Sequence, residues 1–168
     1  MPVAQHPYLR APHPWFGGKS GAAEIFWSRV GDVSNLVDPF CGSLALLLGR
    51  PHVPRSEIVN DVDCYLANFW RCFTNPPREG TRPTPAWREA ARFADWPVNE
   101  ADLHARHLWL VNQHEFRERM KTDPFYCDPL IAGWWVWGQC AWIGGGWCSL
   151  NGSRRGYTSK PRPHLSAH

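Results

Sequence analysis

The apolar positions of the chain change their spacing twice, and each change marks an element. Residues 1–14 form a polar, proline-punctuated arm. After Gly17-Gly18-Lys19, the run from Ser20 to about Val30 predicts a short helix with Ile25 and Phe26 facing inward. Ser34-Asn35-Leu36-Val37 is a short apolar run that stops at Asp38-Pro39, the pattern of a buried parallel strand. Cys41-Gly42-Ser43 predicts a turn, and Leu44 to Leu48 the opening of a helix. Arg55 to Val59 reads as a second strand closed by Asn60-Asp61, after which Val62 to Phe73 returns to helical spacing. Strand, helix, strand, helix in this order predicts an α/β sheet with crossover connections.

From Asn75 onward the pattern is helical throughout. Thr84-Pro85 supplies a cap and first-turn proline for a helix through about Ala94. Asn99 caps another, with Asp102 in its first turn and Leu103, Leu110 and Val111 near helical spacing through Met120. Asp128-Pro129 repeats the cap-plus-proline signal ahead of Leu130 to Trp142, and Gly144-Gly145-Gly146 marks a flexible turn. Three parts follow: an α/β part over 1–74, a helical insertion over 75–148, and a tail over 149–168 with little apolar content.

Composition sharpens this picture in two places. Hydrophobic residues at 43% and charged residues at 20% belong to a globular chain and exclude an intrinsically disordered one. The net charge of +3 belongs to the tail: through Cys148, fourteen Lys and Arg face all fifteen acids, and Arg154, Arg155, Lys160 and Arg162 follow with no acid. Charge alone therefore gives no argument that the body binds nucleic acid. The N-terminus has no apolar core of a signal peptide and the six cysteines form no C-x-x-C pair, so reduced thiols in the cytoplasm are expected. Gly133 to Trp147, the longest apolar stretch, is too short and glycine-rich to span a bilayer.

The chemistry concentrates at the two strand ends. A strand that runs into a small-residue turn and then a helix lets backbone approach a nucleotide-like ligand. An acidic residue at the end of the next strand, about twenty positions on, then meets ribose hydroxyls. Asp61 stands nineteen residues after Gly42. Asp38 and Asp61, at neighbouring strand tips, suit a ligand with a cationic sulfonium, an amino group and a ribose, and repel a polyphosphate. The plain alternative is that Asp38 serves a turn and Asp61 caps the following helix.

Gly18-Lys19-Ser20 invites a phosphate-loop reading that fails, because His13 stands where the loop needs glycine and no strand precedes it. What remains is an aromatic, two glycines and a lysine able to reach a carboxylate. That carboxylate could belong to a ligand's methionine moiety; the alternative is an exposed lysine after a turn.

Taken together, Pro14-Trp15-Phe16-Gly17-Gly18-Lys19, Val37-Asp38-Pro39-Phe40-Cys41-Gly42-Ser43 and Asn60-Asp61 resemble the DNA adenine-N6 methyltransferases of the Dam-like group. The resemblance covers residues 14–73, and the Trp134-to-Cys140 run is similar to phage-type members. It implies a Rossmann-like methyltransferase fold, here partial, with a helical insertion, and S-adenosylmethionine as methyl donor to adenine N6 in double-stranded DNA. Carried over by position, Trp15, Gly18 and Lys19 line the cofactor site, Asp38, Phe40 and Gly42 form the loop beneath it, and Asp61 binds its ribose. Tyr65, Asn68 and Phe69 fit the pattern less diagnostically.

The chain departs from that pattern twice. Where the family often has a second glycine after the Gly-Ser step, this chain has Leu44. The Asp-Pro-Pro-Tyr tetrapeptide with which these enzymes hold the flipped adenine does not occur in the 168 residues. The catalytic residues are therefore unassigned, and a second chain or segment is expected to supply them. The rival expectations are an inactive remnant of such an enzyme and a small DNA-binding protein acting through its basic tail. Asn75-Pro76-Pro77-Arg78 lacks the stacking ring, and Asp123-Pro124-Phe125-Tyr126 lacks the second proline; both read as caps and turns.

Two further clusters have bland readings. Trp134, Trp135, Trp137, Trp142 and Trp147 could stack on unpaired bases, but aromatics at helical spacing more commonly fill a core. His104, His107 and His114, expected on one helix, lack the cysteine or carboxylate set of a standard metal site, and no metal is expected.

Overall fold

The computed structural model describes residues 9–53, 55–74, 84–144 and 146–148. The Asn75-Pro76-Pro77-Arg78 segment, the first eight residues of the arm, Gly145 and the tail from Ser149 lie outside the described residues.

A 3-10 turn over Ser20–Ala22 leads into α1 (Ala23–Val30). β1 (Asn35–Asp38), the single-turn α2 (Ala45–Leu48), β2 (Ser56–Val59) and α3 (Cys64–Thr74) follow in the expected order. β1 and β2 pair in parallel, with Leu36 opposite Glu57 and Asp38 opposite Val59. The mixed α/β reading therefore holds, with a sheet of two strands among the described residues.

Two expectations about side-chain direction fail. Helix α1 buries Ala23 and Trp27 and half-buries Phe26, while Ile25 is 63% exposed, because positions 23, 26 and 27 share one helical face and 25 lies off it. The Trp27 indole then donates to the Leu46 carbonyl at 2.7 Å, which ties α1 to α2. Strand β1 is not buried on both faces: Leu36 and Asp38 point in, and Val37 lies out at 62% exposure.

A fully buried arginine fastens the far end of the pair. Arg50 donates to the Val33 carbonyl at 2.6 Å and to Glu57 at 3.1 Å, and its guanidinium lies 5.0 Å from the Trp27 ring centroid. One side chain thus links the approach to β1, β2 and α1. An enclosed charge of this kind persists only with such partners around it.

The helices after residue 84 are α4 (Ala86–Ala94), α5 (Glu100–Val111), α6 (His114–Thr122) and α7 (Pro129–Ala141). Asn99 caps α5 by accepting from the Asp102 amide at 2.8 Å, and Asp128 caps α7 by accepting from the Ile131 amide at 3.0 Å. Helix α4 differs: Pro85, not Thr84, takes the cap position and offers no side-chain bond. The helix expected to continue through Met120 breaks at Asn112 and Gln113, and His114 opens α6. His104 and His107 consequently sit on a different helix from His114.

The core lies among α3 to α7, built on Leu66, Phe69, Leu110, Phe116, Ile131 and Trp135. Gly133 lets α4 and α7 approach closely, since a Cβ there would run into the Ala90 carbonyl. Trp135, Trp137 and Trp147 are 1%, 5% and 8% exposed, so the core reading of the tryptophan cluster holds for these three. The chain returns after α7 so that the Trp147 indole donates to the Trp135 carbonyl at 2.9 Å. No helix of the described residues is long and apolar enough to cross a membrane.

Candidate functional site

The tips of β1 and β2 and the loop before α1 meet at one turn. Gly18 closes the loop by donating its amide to the Trp15 carbonyl at 2.9 Å. This sets Lys19 beside β1. Its ammonium donates to both oxygens of Asp38, at 2.6 and 2.8 Å, and to the Phe40 carbonyl at 2.6 Å. The carboxylate that Lys19 reaches is therefore that of Asp38, which is 5% exposed and also accepts from the Phe40 amide at 3.2 Å.

The second half of the turn is held from β2. Cys41 donates to the Asn60 carbonyl at 2.9 Å, and the Gly42 amide donates to Asp61 Oδ2 at 3.0 Å. The helix-cap alternative for Asp61 does not apply. Asp63 caps α3, accepting from the Tyr65 and Leu66 amides at 2.8 and 3.2 Å, while Asp61 accepts from the Asp63 amide at 3.1 Å. Burial raises the Asp63 carboxyl above its ordinary range, offset in part by those two amides.

Gly42 has a φ of +50°, and an added Cβ would fall 2.6 Å from the Trp15 ring. Trp15 lies against the turn on one side, and the Trp70 indole donates to the Gly42 carbonyl at 3.1 Å. Phe40 stands out at 76% exposure. The loop thus brings Trp15, Lys19, Asp38, Gly42 and Asp61 together, with Phe40 at its rim and Gly18 in the preceding turn.

Electrostatically the turn is anionic apart from Lys19. The Cys41 thiol is pushed up to about 11 by burial first, then by Asp61 and Asp38. It stays protonated at neutral pH, which removes it as a nucleophile. A turn with two carboxylates suits a cationic or amino-bearing ligand better than a phosphate.

Other residues that the resemblance points to do packing work. The Tyr65 hydroxyl donates to the Leu110 carbonyl at 2.6 Å, Asn68 exchanges two hydrogen bonds with the Asp128 backbone, and Phe69 lies in the core. Asp123 accepts from the Phe125 amide at 3.0 Å in the turn between α6 and α7. Sequence reasoning missed Trp70 and Asp63. A capping pattern two residues past Asn60-Asp61 was available for Asp63, whereas nothing in the sequence marks Trp70 as a partner of the turn.

Comparison with known proteins returns one family. Residues 15–92 match the model of the D12 class N6 adenine-specific DNA methyltransferases. No curated protein and no solved structure gave a significant match. The matched stretch runs from Trp15 through the strand-tip turn and Asp61 into α4, and over that stretch the chain is similar to the D12 class N6 adenine-specific DNA methyltransferases.

Proposed function

We propose that the chain forms the S-adenosylmethionine-binding part of an enzyme that methylates adenine N6 in double-stranded DNA. The observation that carries this reading is the convergence of three separate segments of the family pattern on one turn, through the Lys19–Asp38 pair and the Gly42–Asp61 bond. The donor set fits the cofactor: two carboxylates for a sulfonium, an amino group and a ribose, and a backbone that only glycine permits at position 42. When bound, S-adenosylmethionine supplies the methyl group. In this reading Trp15, Gly18 and Lys19 line its site, Asp38, Phe40 and Gly42 form the loop beneath it, and Asp61 holds its ribose. Lys19 acts chiefly by bonding both Asp38 and the Phe40 carbonyl, which holds the Asp38–Phe40 turn closed.

Residues 1–74 then supply the cofactor half, 75–148 a helical insertion at the start of the target-recognition region, and 149–168 a basic tail. The enzyme works in the cytoplasm. A second chain or segment completes the sheet and brings the catalytic tetrapeptide. What favours this is the exposed apolar surface of the strand pair, where Val37 and Ile58 stand at 62% and 60% exposure. Parallel strands are stable with both faces covered, and two strands rarely suffice.

The test is a methylation assay with S-adenosylmethionine and duplex DNA, read as N6-methyldeoxyadenosine after digestion. Methylation by the chain supports the reading, as does methylation that appears only when a polypeptide carrying the tetrapeptide is added. A folded chain that neither binds S-adenosylmethionine nor methylates under either condition contradicts it.

A further inference from the structure

A cavity of about 880 Å³ opens between α4, α5 and α7, away from the strand-tip turn. Its walls carry four aromatic rings, Phe93, Trp96, Trp109 and Trp134, of which the first three are 40%, 53% and 38% exposed. Trp109 and Trp134 meet edge to face with centroids 5.0 Å apart.

At the back sits Arg106, 8% exposed. Its guanidinium carbon lies 4.3 Å from the Trp137 ring centroid, 4.8 Å from that of Trp134 and 5.2 Å from that of Trp96. Its Nη1 is buried and makes no hydrogen bond among the described residues. A buried donor without an acceptor is costly, and in native proteins it marks a place where a ligand or water completes the set. Asp102 also lines the cavity; its Oδ2 accepts from the Trp96 indole at 2.8 Å and fixes that ring's edge.

The chemistry of this set is selective. A purely apolar ligand would leave Arg106 Nη1 unpaired. A phosphate would face two wall carboxylates, Glu89 and Asp102, as well as Arg92 and Arg106. A flat, uncharged heterocycle that both accepts and donates satisfies every wall at once: its faces stack on indole, its acceptors meet arginine, and its amino groups meet carboxylate. We propose that this cavity holds one unpaired nucleobase of a nucleic-acid strand, at a site separate from that of the base being methylated. The assignment rests on nucleic acid being the substrate, as proposed above.

The experiment uses the full chain and a short single-stranded oligodeoxynucleotide, in three forms: ordinary, carrying 5-iodouracil, and with its bases replaced by abasic residues. Affinity is read by fluorescence anisotropy, cross-links by mass spectrometry, and S-adenosylmethionine binding by calorimetry alongside. Trp109→Ala is the main variant because its ring lies at the cavity mouth; Arg106→Gln is the second. Loss of one stacked base lowers affinity about fivefold or more. The proposal expects that loss in Trp109→Ala, cross-links on Trp96, Trp109 or Trp134, and no further loss when Trp109→Ala meets the abasic strand. Equal affinity of wild type and Trp109→Ala overturns it, as do cross-links confined to other residues. Retained S-adenosylmethionine binding with no base effect sinks the base site alone. A base effect without S-adenosylmethionine binding sinks the methyltransferase reading alone.

Discussion

The Trp15 indole occupies the space that a Cβ on residue 42 would require: built on the Gly42 backbone, that carbon lies 2.6 Å from the indole Cδ1 and 2.7 Å from its Nε1. The loop before α1 and the turn after β1 are therefore fitted to each other through a missing side chain. Gly42→Ala meets two penalties, the clash with Trp15 and a φ of +50° that costs an L-residue about 1–2 kcal/mol. The expected outcome is a lower thermal midpoint, altered tryptophan emission, and roughly tenfold weaker S-adenosylmethionine binding. Differential scanning fluorimetry and a binding titration on the same sample check both parts.

Leu44 adopts the left-handed conformation that glycine favours, with φ 57° and ψ 24°. Branching at Cβ aggravates this conformation, while asparagine tolerates it. Leu44→Val should therefore lower the midpoint of urea unfolding more than Leu44→Asn, by about 1 kcal/mol, although valine retains more apolar surface. The reverse order would show that burial outweighs backbone conformation at this position.

His13 is 4% exposed and packed edge-on against Phe69 and Trp135, with ring centroids 5.4 and 5.2 Å away. Its Nε2 has no hydrogen-bond partner among the described residues. Burial lowers its pKa below the ordinary value, only partly countered by the Pro14 carbonyl. His107 is lowered too, by burial and then by His104. Below about pH 6.5 the unfolded chain takes up these protons while the folded chain does not, so stability is full above that pH and declines beneath it. Thermal midpoints measured from about pH 7.5 to about pH 5.5 should fall, and His13→Phe should make that decline shallower. An unchanged slope in the variant would assign the acid sensitivity elsewhere.

How much of this was legible in the sequence depends on the range of the interaction. Local signals read correctly: Asn99 and Asp128 cap their helices, and both strands end at the expected Asp38 and Asn60-Asp61. Pattern reading failed where tertiary packing chose between faces. Trp27 is buried instead of Ile25 because its indole has the Leu46 carbonyl to bond and Arg50 to pack on, neither visible in the periodicity of α1. The helix break at Asn112 was missed because its neighbours carry neither glycine nor proline. At the site, the sequence identified the residues that meet, but not that Lys19 binds Asp38 or that Trp70 reaches the Gly42 carbonyl. Those partners are nineteen and twenty-eight residues apart, beyond any local rule.

The central claim is that the turn formed by Lys19, Asp38, Gly42 and Asp61 is a cofactor site, and a calorimetric titration with S-adenosylmethionine tests it most directly. The account predicts saturable binding by the folded wild-type chain, weakened roughly tenfold or more in Lys19→Ala, which releases Asp38, and in Asp61→Ala, which removes the ribose acceptor and the partner of the Gly42 amide. A wild-type chain shown by its thermal transition to be folded, yet giving no heat of binding, would contradict it. So would binding that neither substitution alters.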